Sequence, residues 1–410
     1  MNNIFDKFMN KKVVIPIAIG ALVGIFMTIL FSGSHKVELE WDSTMLPQSK
    51  FDGNLSLLVY VENSGSMDGY MCTGSELKDA VFDYVSDLKK DSKKCDLYYI
   101  NSRIIPYQNN LQSYIKDLTP HSFAMGGGDR SNTDLPRIFS MILNAHTHTH
   151  THKGGTLSVL VSDCILDIYG NTSAYLGNCQ VSMKNIFNEA IAKNADLGVA
   201  ILKMKSKFDG YWFCSKNKEK INNKKRPYYI WLLGSSDILA EILRKYPVDN
   251  IIHGVEGYCA YSSKASVPFN FEKKVYVVGR TNKITVPILV DLSKSLQSEH
   301  TISNISNYKT SNPALVKVVS IEKITAEGSR YSHVLNLEIS NPKNLKDITV
   351  SFSYPQIASW VESTNDVIGA DVNKNIDKTT GLLSLIKGVA DAYNSANEYG
   401  VISFKLKNRN

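Results

Sequence analysis

Between Leu55 and Lys245 the chain alternates short apolar runs with amphipathic stretches, and this alternation constrains the fold more than any other feature. Strands are expected at Leu55–Val61, Asp96–Asn101, Leu157–Ser162, Leu197–Lys203 and Tyr228–Leu233. Helices are expected at Glu76–Lys90, Asn110–Asp117, Leu135–Asn144, Ser182–Lys193 and Asp237–Lys245. The runs LSVLVS and YYIWLL are apolar on both faces, as in buried parallel strands. Arg103–Tyr107 could pair back on the second strand as an edge hairpin. The pattern predicts an α/β unit with a doubly wound, mostly parallel sheet whose ligands bind beyond the carboxyl ends of the strands.

From Lys274 to Ser353 the texture changes to closely spaced strands (Lys274–Gly279, Lys283–Asp291, Leu315–Ile324, Ser332–Ser340, Asp347–Ser353) with turn residues between them. An antiparallel β-sandwich over 271–355 follows. Residues 248–270 read as a linker. A short α+β tail over 356–410 carries a helix at Thr380–Tyr393 and a strand at Val401–Leu406, docked on one unit or the other. With 410 residues, 43% hydrophobic and 21% charged, the chain has material for two globular units.

Val13–Phe31 contains no charged residue and is about as long as a bilayer core requires. Lys7, Lys11 and Lys12 precede it; Glu38, Glu40 and Asp42 follow. The expectation is a cytoplasmic tail (1–12), one transmembrane helix (13–32), a tether (33–51) and a protein whose bulk is extracytoplasmic. The exit from the apolar run has no small-residue cleavage pattern. Six cysteines, none in a CxxC, permit up to three disulfides outside the cytosol and argue against a zinc ribbon. The net charge of +7 gathers partly between Lys203 and Arg226, read as a solvated basic loop. No aromatic-interleaved motif points to nucleic acid.

Three loops past strand ends or at a helix start carry oxygen donors: Glu62-Asn63-Ser64-Gly65-Ser66, Gly126–Asp134 with Thr133 beside the next helix, and Ser162-Asp163-Cys164. Such an oxygen-only set suits Mg2+, Mn2+ or Ca2+ and not zinc. These loops, in this order, resemble the metal-ion-dependent adhesion site of von Willebrand factor A-type domains over roughly residues 52–247. The resemblance implies that Glu62, Ser64, Ser66, Thr133 and Asp163 hold the ion, and that a partner protein completes the coordination with an acidic side chain. Glu62 stands where the family has aspartate. Its carboxylate is one methylene longer, so it either reaches the ion or leaves a degenerate site. Asp68 and Asp134 border the same face, as second-sphere supports or as local caps.

Other candidates are weaker. The alternating His146–His152 tract is read as a solvated linker. His121 and His253 read as structural residues, and no serine-hydrolase or phosphate-loop pattern is complete. Gly126–Gly128 would give the Thr133 loop freedom to approach the ion. Tyr211-Trp212-Phe213 is either packing for its own loop or a contact patch. The sequence therefore leads to cation-dependent protein–protein binding by a membrane-anchored, non-enzymatic protein. A metal-independent assembly component of an envelope complex is the alternative, and a metal-assisted hydrolase a weaker one.

Overall fold

The computed structural model describes residues 35–42, 55–131, 134–148, 155–168, 170–213, 218–263, 267–326, 329–367, 375–393 and 399–409. The apolar segment 13–31 lies outside these, and no described helix is long and apolar enough to cross a membrane. In chain order the strands are β1 (His35–Glu40), β2 (Leu55–Glu62), β3 (Ser92–Ile100), β4 (Ile104–Tyr107), β5 (Thr156–Ser162), β6 (Leu197–Phe213), β7 (Lys218–Ser235), β8 (Gly257–Ser262), β9 (Phe269–Phe271), β10 (Val275–Val278), β11 (Lys283–Val290), β12 (Tyr308–Thr310), β13 (Val316–Lys323), β14 (His333–Ser340), β15 (Asp347–Phe352), β16 (Asn365–Asp366), β17 (Thr379–Thr380) and β18 (Gly400–Arg409).

The main sheet has seven strands in the order β4-β3-β2-β5-β7-β6-β8. Only the pairings of β2 with β3 and with β5 are parallel. The pairs β3–β4, β5–β7, β6–β7 and β6–β8 are antiparallel. This overturns the doubly wound, mostly parallel core: the sheet is mixed, and the structure as a whole is α/β with mostly antiparallel sheets. The physical reason lies in the β6–β7 connection. The basic run expected as a loop is strand on both sides of residues 214–217, so β7 returns beside β6 as a hairpin and inserts next to β5. A hairpin can deliver only an antiparallel neighbour.

The strands are nonetheless covered on both faces, because coverage and strand direction are separate properties. In β2, Leu55, Leu57, Val59 and Val61 face one core, with helices Glu76–Lys89 and Ser236–Lys245; Leu58 and Tyr60 face another, with helices Leu135–His148 and Thr172–Lys193. Tyr228, Ile230 and Leu232 of β7 alternate with Tyr229, Trp231 and Leu233 in the same way. The expected edge strand β4 pairs with β3. The supposed linker supplies β8, the opposite edge.

The second unit consists of a five-stranded sheet (β10-β1-β18-β15-β12) and a four-stranded sheet (β13-β14-β11-β9) that share one apolar core, including Val37, Leu39, Val286, Leu337, Ile348 and Phe404. Residues 35–40, expected in the tether, are β1, with Val37 and Leu39 fully buried. The tail is not a separate segment. Its helix Leu382–Tyr393 joins the second core of the first unit, while β18 lies between β1 and β15.

Candidate functional site

Parallel pairing of β2 with β5 sets Val61 opposite Val161, so the strands deliver Glu62 and Ser162, then Asn63 and Asp163, to one edge. All four are buried: Glu62 and Asp163 are each 1% exposed, Asn63 and Ser162 0%. Ser64 follows at 2%, and its hydroxyl lies 3.0 Å from that of the half-buried Ser66. Ser66 opens a 3-10 turn, Ser66–Met71. The structure thus gathers Glu62, Ser64, Ser66 and Asp163. Thr133 lies outside the described residues.

Glu62 is not simply a longer aspartate. The Ser162 hydroxyl donates to its Oε2 and itself accepts the Cys164 N–H at 2.8 Å. The added methylene lets the carboxylate lean toward the neighbouring strand. Asp163 Oδ1 accepts the Ile165 N–H at 3.3 Å, whereas its buried Oδ2 has no hydrogen bond of normal geometry. Burial raises the Asp163 pKa; the Arg226 charge, the Ser66 hydroxyl and the Ile165 N–H pull the other way.

Arg226 was not singled out by sequence. It lies on β7 with 0% exposure, and none of its three guanidinium nitrogens has a hydrogen-bond partner. It stacks over the rings of Phe208 (5.0 Å) and Trp212 (5.5 Å). The signal was present in the alternation Lys203-Met204-Lys205-Ser206-Lys207-Phe208. Its second members are buried while the lysines are half exposed, which is strand periodicity and not loop composition. Trp212 of the aromatic triplet is buried and Tyr211 exposed, so packing accounts for the first.

Arg130 lies across the first loop. Its Nε donates to Asn63 Oδ1 at 2.8 Å, its Nη2 donates to the Ser64 carbonyl at 3.3 Å and pairs with Asp68, and its own carbonyl accepts the Gly65 N–H at 3.1 Å. Asn101, 4% exposed at the end of β3, donates to the Gly127 carbonyl at 2.8 Å and the Asn63 carbonyl at 3.3 Å. The glycine run allows this closeness. A Cβ on Gly126 would come within 2.6 Å of Asn63 Nδ2, and one on Gly128, at φ +76°, within 2.1 Å of Asn101 Oδ1. Asp134 caps its helix by accepting the Arg137 N–H at 3.1 Å.

The remaining candidates fall away from this edge. His253 faces Asp79 at 3.4 Å, and His121 is exposed on the short helix Pro120–Ala124. The helix beginning at Leu135 runs to His148, and residues 149–152 of the histidine tract lie outside the described residues. Cys72, Cys95, Cys164, Cys179 and Cys259 are free thiols, so no disulfide forms among the described residues. Burial pushes the Cys179 and Cys259 thiols up to about 12.

Among the described residues no group of three or more His, Cys, Asp or Glu could hold a metal ion. The donors at the β2–β5 edge are instead the Glu62 and Asp163 carboxylates and the Ser64 and Ser66 hydroxyls, with the Ser162 hydroxyl engaged by Glu62, which is chemistry for a hard cation. The buried Asp163 Oδ2, with no hydrogen bond of normal geometry, fits such an ion, since a poorly satisfied buried acceptor is costly. Arg226 opposes it by bringing positive charge to the same carboxylate. Comparison with protein-family models, with curated proteins and with solved structures finds no match.

Proposed function

We propose that this is a membrane-anchored, non-enzymatic binding protein that takes up a divalent cation, Mg2+ or Mn2+ foremost, at the β2–β5 edge and presents it to a partner protein. Asp163, Ser64 and Ser66 would hold the ion, with Glu62 from the end of β2 and Thr133 from the second loop. The observation that carries the proposal is the buried Asp163 Oδ2, which has no hydrogen bond of normal geometry, with the Ser66 hydroxyl acting on the same carboxylate and lying 3.0 Å from that of Ser64. Arg130 at the rim, 20% exposed, supports an acidic partner residue, because its guanidinium can meet a carboxylate approaching the ion. The loops, and not the sheet topology, support this reading. The anchor would be the charge-free segment 13–31, with the two folded units on the extracytoplasmic side.

Calorimetric titration of the full chain in detergent with MnCl2 and MgCl2 tests the site. Saturable binding is expected in the wild type and should vanish in Asp163→Ala. A folded wild-type sample that binds neither ion would leave the metal-independent assembly role as the better account.

A further inference from the structure

The second unit carries an unbalanced basic end, and it is the end at which the chain enters. Antiparallel register places Lys36 of β1 directly opposite Arg409 of β18 and beside Val277 of β10. Two turns close over the same end. The Asn341 N–H donates to the Asn282 carbonyl at 2.8 Å, joining the turn that carries Arg280 to the turn that carries Lys343. Asn408 Nδ2 donates to the Lys343 carbonyl at 3.3 Å, bringing Lys343 to the end of β18 next to Arg409. Lys346 joins them through its carbonyl, which accepts the Leu406 N–H at 2.7 Å.

The acidic groups here are few. Glu38 lies 3.0 Å from Lys274 and only 3.9 Å from Arg409, Glu338 holds Lys283 at 2.9 Å, and Asp347 is exposed. Lys36, Arg280, Lys343 and Lys346 are exposed and have no carboxylate partner among the described residues. Like charges directly opposite across a strand pair, as Lys36 and Arg409 are, destabilise it. Val277, 51% exposed, adds an apolar side chain to the patch.

Chain length supplies the second observation. Four residue steps separate Phe31 from His35, a reach of at most about 14 Å. The headgroup layer beyond the hydrocarbon is about 5–7 Å thick on each side. With segment 13–31 in the bilayer, the basic end cannot stand clear of the lipid surface. We propose that the end of the second unit formed by Lys36, Arg280, Lys343 and Arg409 docks on anionic phospholipid headgroups, fixing the unit against the membrane instead of leaving it on a tether. This rests on the membrane-anchor reading above and is independent of the cation site.

Hydrogen exchange on the full chain, in nanodiscs of phosphatidylcholine alone or mixed with phosphatidylglycerol, tests it. Peptides covering 279–283 and 341–346 should exchange at least about fivefold more slowly in the anionic discs, as a single basic contact to such a surface implies. Peptides covering 308–311 and 351–353, at the far end of the sheet, should not change. High salt should abolish the protection in the wild type, and so should the combined variant K36E/R280E/K343E/R409E. If that variant misfolds, shown by faster exchange at the far end, the salt reversal in the wild type decides. Equal exchange in the two kinds of disc overturns the docking while leaving the anchor intact. Equal protection by inorganic phosphate in neutral discs overturns the commitment to lipid. A chain that stays soluble without detergent and associates with neither disc overturns the anchor reading, and the docking with it.

Discussion

At the residue scale, the positive and negative charges of the first unit are held in unequal ways. Glu76 opens its helix against the hairpin. Burial alone would raise its carboxyl, but the Lys207 N–H at 2.6 Å and the Lys225 ammonium at 2.9 Å outweigh burial and hold the pKa at about 2. A carboxyl depressed in the fold contributes stability above its unfolded value near 4.5, and that stability is lost as the pH falls toward 2. Glu76→Gln should therefore cost about 1–3 kcal/mol at neutral pH, and the gap to wild type should close in acid melts approaching pH 2. Arg226 is the opposite case, a buried cation with aromatic faces and no hydrogen bonds. Arg226→Met keeps the length that fills the space between Phe208 and Trp212 but removes the charge acting on Asp163. The variant is expected to bind Mn2+ more tightly, by up to about tenfold at the effective dielectric of such sites. Calorimetry on both proteins checks this, and unchanged affinity would mean that the two groups do not share a field.

At the element scale, the β6–β7 hairpin shapes the candidate site. Where the register shifts between Phe208 and Gly210, β6 packs on the turn that carries Ser66. A Cβ on Gly69 would fall within 2.3 Å of the Phe208 ring, and one on Gly210 within 2.6 Å of the Gly69 Cα. Tyr70 ties the same turn to β7 through its hydroxyl, which donates to the Pro227 carbonyl. Gly210→Ala has backbone in its way and no flexible side chain to displace. It should destabilise the protein by about 1–3 kcal/mol, and because the 66–71 turn must shift, cation affinity should fall with it. A Gly210→Ala protein that melts like wild type would show that the hairpin and the turn move independently.

At the scale of the whole molecule, the first and last described strands lie side by side, from Lys36 opposite Arg409 to Glu40 opposite Lys405. β1 is also hydrogen-bonded to β10, so it is interior to its sheet and buries Val37 and Leu39. A chain beginning at residue 50 would open that sheet and uncover its core. It should aggregate or show a lowered melting transition, whereas one beginning at residue 34 should melt as the full chain does. Differential scanning calorimetry of the two fragments distinguishes these outcomes. The helix Leu382–Tyr393 ties the tail to the first unit, with Gln180 donating to Asp391 at 2.7 Å, so the two units are bound by more than one crossing of the chain.

Much of this was legible locally. The periodicity of LSLLVYV and LSVLVS specified buried strands, as the 0–3% exposure of Leu57–Val61 bears out, because apolar content on both faces directly reports coverage on both faces. The donors of Glu62–Ser66 and Asp163 were visible at strand ends for the same reason: polar residues that interrupt an apolar run mark where the run leaves the core. What the sequence by itself determined, then, was the burial of β2, β5 and the apolar half of β7, the main helices of the first unit and where oxygen donors lie at strand ends. The burial of β1, of the lysine-rich part of β6 and of β8 escaped it. Strand direction, the partner of each terminus and the charge facing Asp163 were decided only by the tertiary structure. Direction depends on whether a connection is a crossover or a hairpin. The lysines of β6 masked a strand because their charged heads reach water while the alternate side chains are buried. The pairing of β1 with β18 joins segments some 370 residues apart, and the approach of Arg226 to Asp163 joins two strands through their packing. Local patterns carry no information about such contacts, because their free energy arises only when distant surfaces are brought together and water is excluded between them.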